Sequence, residues 1–365
     1  MKRRLVIANT YYQLIVAIQM KCTLFCDDEV VLLISDHSRN SETEFKKMVG
    51  ISVFDEIYYV KSKDITSSLT IKNHFQDLYG FALKGYNRFS FYIEEVRNRY
   101  FDEIMVFNYE RDIIGLYSVL YEYNDQLSIS IFEEGILSYN FIIQERFSEK
   151  VIKCIRKLRG KKNAIETIKN FYCFYPDFYK GNLKKVLIPR IEKNSKCESY
   201  IKEIFDVNTK VNYRQKFIFF TSVYDFEGGE PIGEYEVVKR VQEVVGKENL
   251  LIKVHPRDDR DVYNKSQFNI DCNSDIPWEA IQISLDFSDK VYLTSTSGSV
   301  LAGSLFSDKP VRICYMYNLC KLTNNASAER SVQTIESLIH DKIMCEHFKN
   351  VSVINNYKEL INENT

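Results

Sequence analysis

No uninterrupted apolar run in this chain reaches the ~18 residues that a membrane-spanning helix needs, so an integral helical membrane protein is excluded. Charge of one sign is lacking too. Lys and Arg total 49, Asp and Glu 50, and the formal net charge is -1. No global field therefore draws nucleic acid to the surface, and nucleic acid is not an expected partner. There is no CxxC pair among the nine cysteines. Cys22 and Cys26 have the spacing of one helix face, but no second pair completes a zinc site, and free thiols of a reducing cytoplasm are expected. Proline is scarce, with six residues. There is no internal repeat and no low-complexity tract.

What is present is the composition of a soluble globular protein, 45% hydrophobic and 27% charged, in a chain of 365 residues. That length accommodates two domains of ordinary size. The N-terminus starts basic and turns apolar, as a signal peptide does. Asn9, Thr10 and Gln13 interrupt the apolar stretch and no small-residue cleavage site follows, so a buried strand over Arg4–Asn9 is the expectation.

Short β-branched runs alternate with longer amphipathic stretches. Strands are predicted at Leu5–Asn9, Val30–Ser35, Glu56–Val60, Glu103–Phe107 and Leu127–Phe132, with helices at Tyr12–Leu24 and Arg111–Tyr121. The pattern resumes with strands at Lys216–Thr221, Leu250–Val254, Lys290–Thr294 and Pro310–Cys314, and helices at Gly233–Val245, Trp278–Ile283 and Ser299–Phe306. Such alternation predicts parallel sheets covered by helices on both faces. The segment Ser62–Arg97 has weak periodicity and reads as a helix pair or an insertion. The expected organisation is a Rossmann-like domain over 1–195, a polar linker over 196–214, and a second Rossmann-like domain over 215–365. This is the two-domain GT-B pattern, with the two sheets expected to face an interdomain cleft.

Ligands of open α/β sheets bind beyond the carboxyl ends of the strands, and the unusual residues fall there. Glu133-Glu134-Gly135 ends the strand Leu127–Phe132. Neighbouring side chains on an extended chain point to opposite faces, so one acid can face a ligand while the other is used structurally. Gly135 allows a sharp turn, and a partly buried carboxylate can serve as a general base. A solvated turn has the same signature. Lys253-Val254-His255-Pro256-Arg257 ends the strand Leu250–Val254, and Pro256 holds His255 extended. That imidazole can donate to a phosphate or be a satisfied structural histidine. The run Asp258-Asp259-Arg260-Asp261 reads as a solvated loop before a metal site. In the stretch Thr294–Ser299, hydroxyls and free amides at a helix start can form an anion site or a plain cap. Pro277-Trp278-Glu279 is a helix start whose acid could accept ribose hydroxyls. Asp225, after the strand Lys216–Thr221, is a reserve acid.

Taken in order, these motifs resemble the bacterial sialyltransferases of glycosyltransferase family 52, the type that includes streptococcal capsule and Neisseria lipooligosaccharide enzymes. The shared features are Glu133-Glu134-Gly135, His255-Pro256, Ser295-Thr296-Ser297 and the opening Ala8-Asn9-Thr10-Tyr11-Tyr12-Gln13-Leu14. The resemblance implies an inverting, metal-independent transfer of sialic acid from CMP-sialic acid to a terminal sugar, often galactose, of a surface glycan, with no cofactor. It implies Glu134, or else Glu133, as base, with Asp225 in reserve. It implies His255 as acid or donor to the leaving phosphate. Donor-side contacts would come from Ser295, Thr296, Ser297, Glu279, Gly135, Pro256, Asn9 and Thr10. A homodimer is favoured, as is a cytoplasmic location.

Val151, Ile155 and Leu158 fall on one helix face among Lys153, Arg156, Lys157, Arg159, Lys161 and Lys162. That pattern suits a solvated helix, or one resting on an anionic membrane near a lipid-linked acceptor. Competing readings are a GT-B transferase with a CMP-Kdo or UDP-sugar donor, a teichoic-acid-type polymerase, and a non-catalytic sugar-nucleotide-binding protein.

Overall fold

The computed structural model describes residues 1–38, 41–61, 79–84, 93–145, 147–207, 213–258, 260–263, 265–273, 276–305 and 311–362. The chain forms two compact units, Met1–Phe205 and Asp206–Thr365.

The first unit is built on a seven-stranded sheet of order β3-β2-β1-β4-β5-β6-β7. The strands are β1 (Arg3–Ala8), β2 (Glu29–Ser35), β3 (Glu56–Val60), β4 (Glu103–Val106), β5 (Ser128–Phe132), β6 (Ile168–Cys173) and β7 (Lys184–Leu187). All neighbouring pairs run parallel. The first five match their predicted positions to within two residues. β6 and β7 are additions, because Lys169 and Asn170 in one and Lys184 and Lys185 in the other hide the apolar signal of strands near a sheet edge. β1 is central and its Leu5–Ala8 are fully buried, which is why it reads as a continuous apolar run.

Connections leave β1 toward β2 and β4 toward β5, in opposite directions along the sheet. The topological switch point therefore lies between the carboxyl ends of β1 and β4. The opposite end of the sheet is tied by ions. Buried Arg4 bonds Glu103 through Nη1 and Asp28 Oδ2 through Nε at 2.8 Å, and Ser130 Oγ donates to the other Glu103 oxygen. Glu103→Ala leaves buried Arg4 with Asp28 as its remaining carboxylate and the Ser130 hydroxyl without its acceptor, and is expected to cost about 1.5–3 kcal/mol. Urea unfolding of the full chain checks this, and a loss below about 1 kcal/mol would contradict it.

Two expectations need correction here. The stretch 196–214 starts not as linker but with a helix, Lys196–Phe205, whose Cys197, Ile201, Ile204 and Phe205 are buried in the first unit. Cys26 does not share a helix face with Cys22. The helix Tyr11–Thr23 ends when the amides of Leu24 and Phe25 both bond the Met20 carbonyl. All nine cysteines are free thiols. Of Ser62–Arg97, residues 62–78 and 85–92 lie outside the described set. The described parts are a short helical turn, Gly80–Lys84, and a helix start, Ile93–Val96.

The second unit carries a five-stranded sheet of order β12-β11-β10-β8-β9. Its strands are β8 (Phe217–Phe220), β9 (Leu250–Lys253), β10 (Val291–Thr294), β11 (Arg312–Tyr315) and β12 (Val351–Val353), again all parallel. β12 was not foreseen, since three residues carry little periodicity. The helix Glu234–Val245 buries Val237, Val238, Val241 and Val245 at helical spacing against Phe217, Phe219, Leu250 and Ile252. The switch point of this sheet lies between β8 and β10. Both units are thus α/β, with the parallel order of Rossmann-type folds.

Candidate functional site

In the first unit, β5 delivers two adjacent acids to opposite environments. Glu133 is fully buried. It accepts from Tyr12 Oη and Tyr139 Oη, and from the Phe174 amide at 2.8 Å. Its carboxylate joins the first helix, the turn after β5 and the end of β6. That is a structural role, although burial still raises its pKa to about 7.

Glu134 points the other way and is only partly buried. It has one side-chain partner, Gln13 Nε2 at 2.6 Å. Burial, aided by repulsion from Glu110, pushes its pKa up to about 7. A carboxylate that is half-desolvated, lightly hydrogen-bonded and balanced near neutrality suits a general base. The chain can turn away after it because Gly135 has φ 86°, a left-handed value that favours glycine. Ser138 Oγ stays fixed by donating to the Gly135 carbonyl at 2.6 Å.

Gln13 stands in the opening motif, but the sequence alone assigned it no role in the site. Thr10 caps the first helix and Gln13 closes the reciprocal box. Gln13 Oε1 accepts from the Asn9 amide at 2.6 Å and the Thr10 amide at 3.3 Å. Its amide orientation is thereby fixed, and the NH2 end must face Glu134. The signal was legible as Thr10-x-x-Gln13, a capping box in which the Gln does two tasks. Thr10 and Asn9, read as donor contacts, are engaged in this cap. Of these two side chains, Asn9 leaves its Oδ1 atom buried without a hydrogen-bond partner among the described residues.

In the second unit, three loops at the carboxyl ends of β10, β8 and β9 are cross-linked. β8 lies between the other two, with Phe220 in register with both Thr294 and Lys253. The His255 amide donates to Thr221 Oγ1 at 2.8 Å. Its Nδ1 accepts from the Arg257 amide at 3.1 Å, so the neutral ring carries its proton on Nε2. Burial, with Arg257 nearby, lowers the His255 pKa to about 4. His255 is thus a neutral N–H donor at physiological pH.

Glu234, in the first turn of its helix, is fully buried and was not singled out from sequence. It accepts from the Ser222 amide at 2.7 Å and from Ser295 Oγ. Desolvation raises its pKa to about 7. Ser295 therefore spends its hydroxyl proton on Glu234. Thr296 Oγ1 is buried and has no partner among the described residues. The Ser297 amide is taken by Thr294 Oγ1 at 3.0 Å. Ser297 and Ser299 share a hydroxyl contact of 2.7 Å and are partly exposed. Of this stretch, the groups open to a ligand are Ser297, Gly298 and Ser299, which shifts the expected contacts toward its C-terminal end.

Asp225, the reserve acid, is a helix cap. Its two oxygens accept the amides of Glu234 at 3.0 Å and Tyr235 at 3.1 Å. Asp258 is clamped by Arg260 through two bonds of 2.8 Å, and Asp259 lies outside the described residues. Among the described residues no group of three or more His, Cys, Asp or Glu side chains could hold a metal. Glu279 occupies the first turn of Trp278–Ser284. Burial raises its pKa, and the cation of Lys253 opposes that.

The pKa values imply a pH dependence of stability. Glu133, Glu134 and Glu234 hold protons to about pH 7 when folded, against an ordinary 4.5. The native state therefore binds more protons across that window, and stability falls as pH rises through it. His255 acts oppositely, but only below its ordinary 6.5. The melting temperature should rise by a few degrees between about pH 8 and pH 6, and a flat or falling profile would contradict the burial of these acids.

Two Rossmann-type units with acid, imidazole and hydroxyl groups at their strand ends hold the kinds of groups a sugar-nucleotide transferase uses, and the family match assigns the chain to that class. The model of the alpha-2,8-polysialyltransferase family matches residues 4–315, and the chain belongs to that family. Among solved structures it is similar to CalG4, the calicheamicin glycosyltransferase, with TM-score 0.49, 9% identity, and coverage of 100% of this chain and 95% of that one. It is also similar to MnaA of S. aureus with UDP, with TM-score 0.45, 14% identity, and coverage of 99% and 95%. A third is MurG of Acinetobacter baumannii, with TM-score 0.39, 10% identity and 99% coverage of each chain. No curated protein matches the sequence. No helix among the described residues is long and apolar enough to cross a membrane.

Proposed function

We propose that this protein is an inverting sialyltransferase that moves sialic acid from CMP-sialic acid to a hydroxyl of a bacterial surface glycan. The observation that carries the proposal is Glu134, a lightly bonded carboxyl with pKa about 7 at a strand end, in a chain of the polysialyltransferase family. Glu134 takes the proton of the acceptor hydroxyl as its oxygen forms a bond to the anomeric carbon. The bond from that carbon to the CMP phosphate breaks, and the electron pair leaves with CMP. His255 Nε2–H donates to the phosphate oxygen that gains charge, and Ser297 and Ser299 hold the same phosphate. Glu279 accepts the ribose hydroxyls. Positioning and charge stabilisation do most of the catalytic work, because the transition state is largely dissociative.

Two acceptor chemistries are in play. Membership of the alpha-2,8-polysialyltransferase family favours a chain already ending in sialic acid. The short motifs shared with family 52 favour terminal galactose. CMP release should be measured with oligosialyl and with galactose-terminated acceptors. One of them should raise it well above the hydrolysis seen with donor alone. If neither does so across a panel of both types, the proposal fails.

A further inference from the structure

The helix Phe147–Leu158 of the first unit carries hydrophobic residues on both of its faces. Its inner face is seated firmly. Ile152 packs with Ile114 and Tyr109. Arg156, 2% exposed, bonds the Lys162 carbonyl at 2.9 Å and Ser118 Oγ at 3.2 Å. The outer face bears Phe147, Val151, Cys154 and Leu158, spaced four, three and four residues apart, which is one stripe of a helix. Phe147 is 82% exposed and Leu158 85%. Neither sits at a chain end, where such exposure would be ordinary. Ile142, just upstream, is also exposed.

The charge along this segment is mainly basic. Residues 147–162 contain seven Lys or Arg and a single acid, Glu149, which is buried. Lys150 and Lys157 are exposed and make no ion pair among the described residues. The neighbouring carboxylates Glu145 and Glu166 are engaged by Lys153, at 3.4 and 3.5 Å. Arg159 bonds the carbonyls of Ala82 and Leu83, which brings the exposed Leu83 alongside.

From this arrangement we infer that the outer face of Phe147–Leu158 docks on an anionic lipid bilayer, with Phe147, Val151 and Leu158 in the headgroup–acyl boundary. Lys150 and Lys157 pair with lipid phosphates. A twelve-residue helix spans about 18 Å, too short for the ~30 Å hydrocarbon core, so it lies in the plane of the interface. Charge argues against a second copy as the occupant. A twofold pairing would set Lys150 and Lys157 near their own counterparts, and lysine is depleted at protein interfaces. Docking of this kind would suit an enzyme whose acceptor is anchored in lipid.

The test is co-sedimentation of the full chain with phosphatidylcholine vesicles, with and without phosphatidylglycerol. Wild type should bind the anionic vesicles and release as salt rises. The double variant Phe147→Ser, Leu158→Ser should lose roughly tenfold or more in partitioning. Lys150→Glu, Lys157→Glu should abolish the preference for phosphatidylglycerol. Melting temperatures should be unchanged, because these side chains face outward. Equal binding by wild type and both variants would overturn the inference, as would absent wild-type binding. So would sedimentation as a dimer that the Phe147→Ser, Leu158→Ser change dissociates, since the stripe would then be a protein interface.

Discussion

Glu134→Gln is expected to lower sialyl transfer by at least ~100-fold while leaving the fold intact, the scale usual for a positioned general base. The substitution keeps shape and a hydrogen-bond acceptor, so the Gln13 contact at 2.6 Å has a partner, and only proton affinity is removed. The wild-type pH profile carries a second signature. A base with pKa about 7 is protonated below neutrality, so kcat/KM should fall about tenfold per pH unit on the acid side of ~7. Glu133→Gln separates the two acids. Glu133 has three donors and no exposure, so its loss should appear as a lowered melting temperature more than as lost turnover per folded molecule. If Glu134→Gln turns over normally and Glu133→Gln folds but is inactive, the assignment of the two carboxyls is reversed.

His255→Ala should cost a comparable ~100-fold, since one preorganised donor to developing negative charge is worth about that much. The structure sharpens how the imidazole acts. With Nδ1 occupied by the Arg257 amide and a pKa near 4, the ring in the free protein has an N–H to offer rather than an acidic cation. His255→Gln can place an amide N–H near the position of Nε2. It should recover a substantial part of the loss if hydrogen bonding is the role. If Gln is as inactive as Ala, proton transfer is the role, and the burial argument is wrong for the substrate complex.

The strands that position these groups were legible because buried parallel strands are continuous apolar runs with polar residues at their carboxyl ends. Leu5–Ala8, Ile129–Phe132 and Leu250–Lys253 each end at a candidate group. β6, β7 and β12 were not legible, because Lys and Asn interrupt the first two and the third is only three residues long. In the site, the acid pair, the imidazole and the hydroxyl turn stood out by residue type. Their partners did not. Gln13 is legible as a capping-box residue and Glu234 as a first-turn acid, but only the turn of the chain brings one against Glu134 and the other against Ser295. Asp225 shows the converse. Its position after β8 suggested chemistry, whereas both of its oxygens serve the amides of the next helix. A sequence displays which side chains could react, but not which are already occupied by backbone donors.

Donor identity separates sialyl transfer from transfer of a hexose. The most direct measurement offers purified protein CMP-sialic acid and a set of UDP-sugars together, with oligosialyl and galactose-terminated acceptors, and weighs the products by mass spectrometry. The account predicts acceptor chains heavier by sialyl residues, one CMP formed for each, and UDP-sugars untouched. Hexose addition at the expense of a UDP-sugar, with CMP-sialic acid left whole, would contradict it.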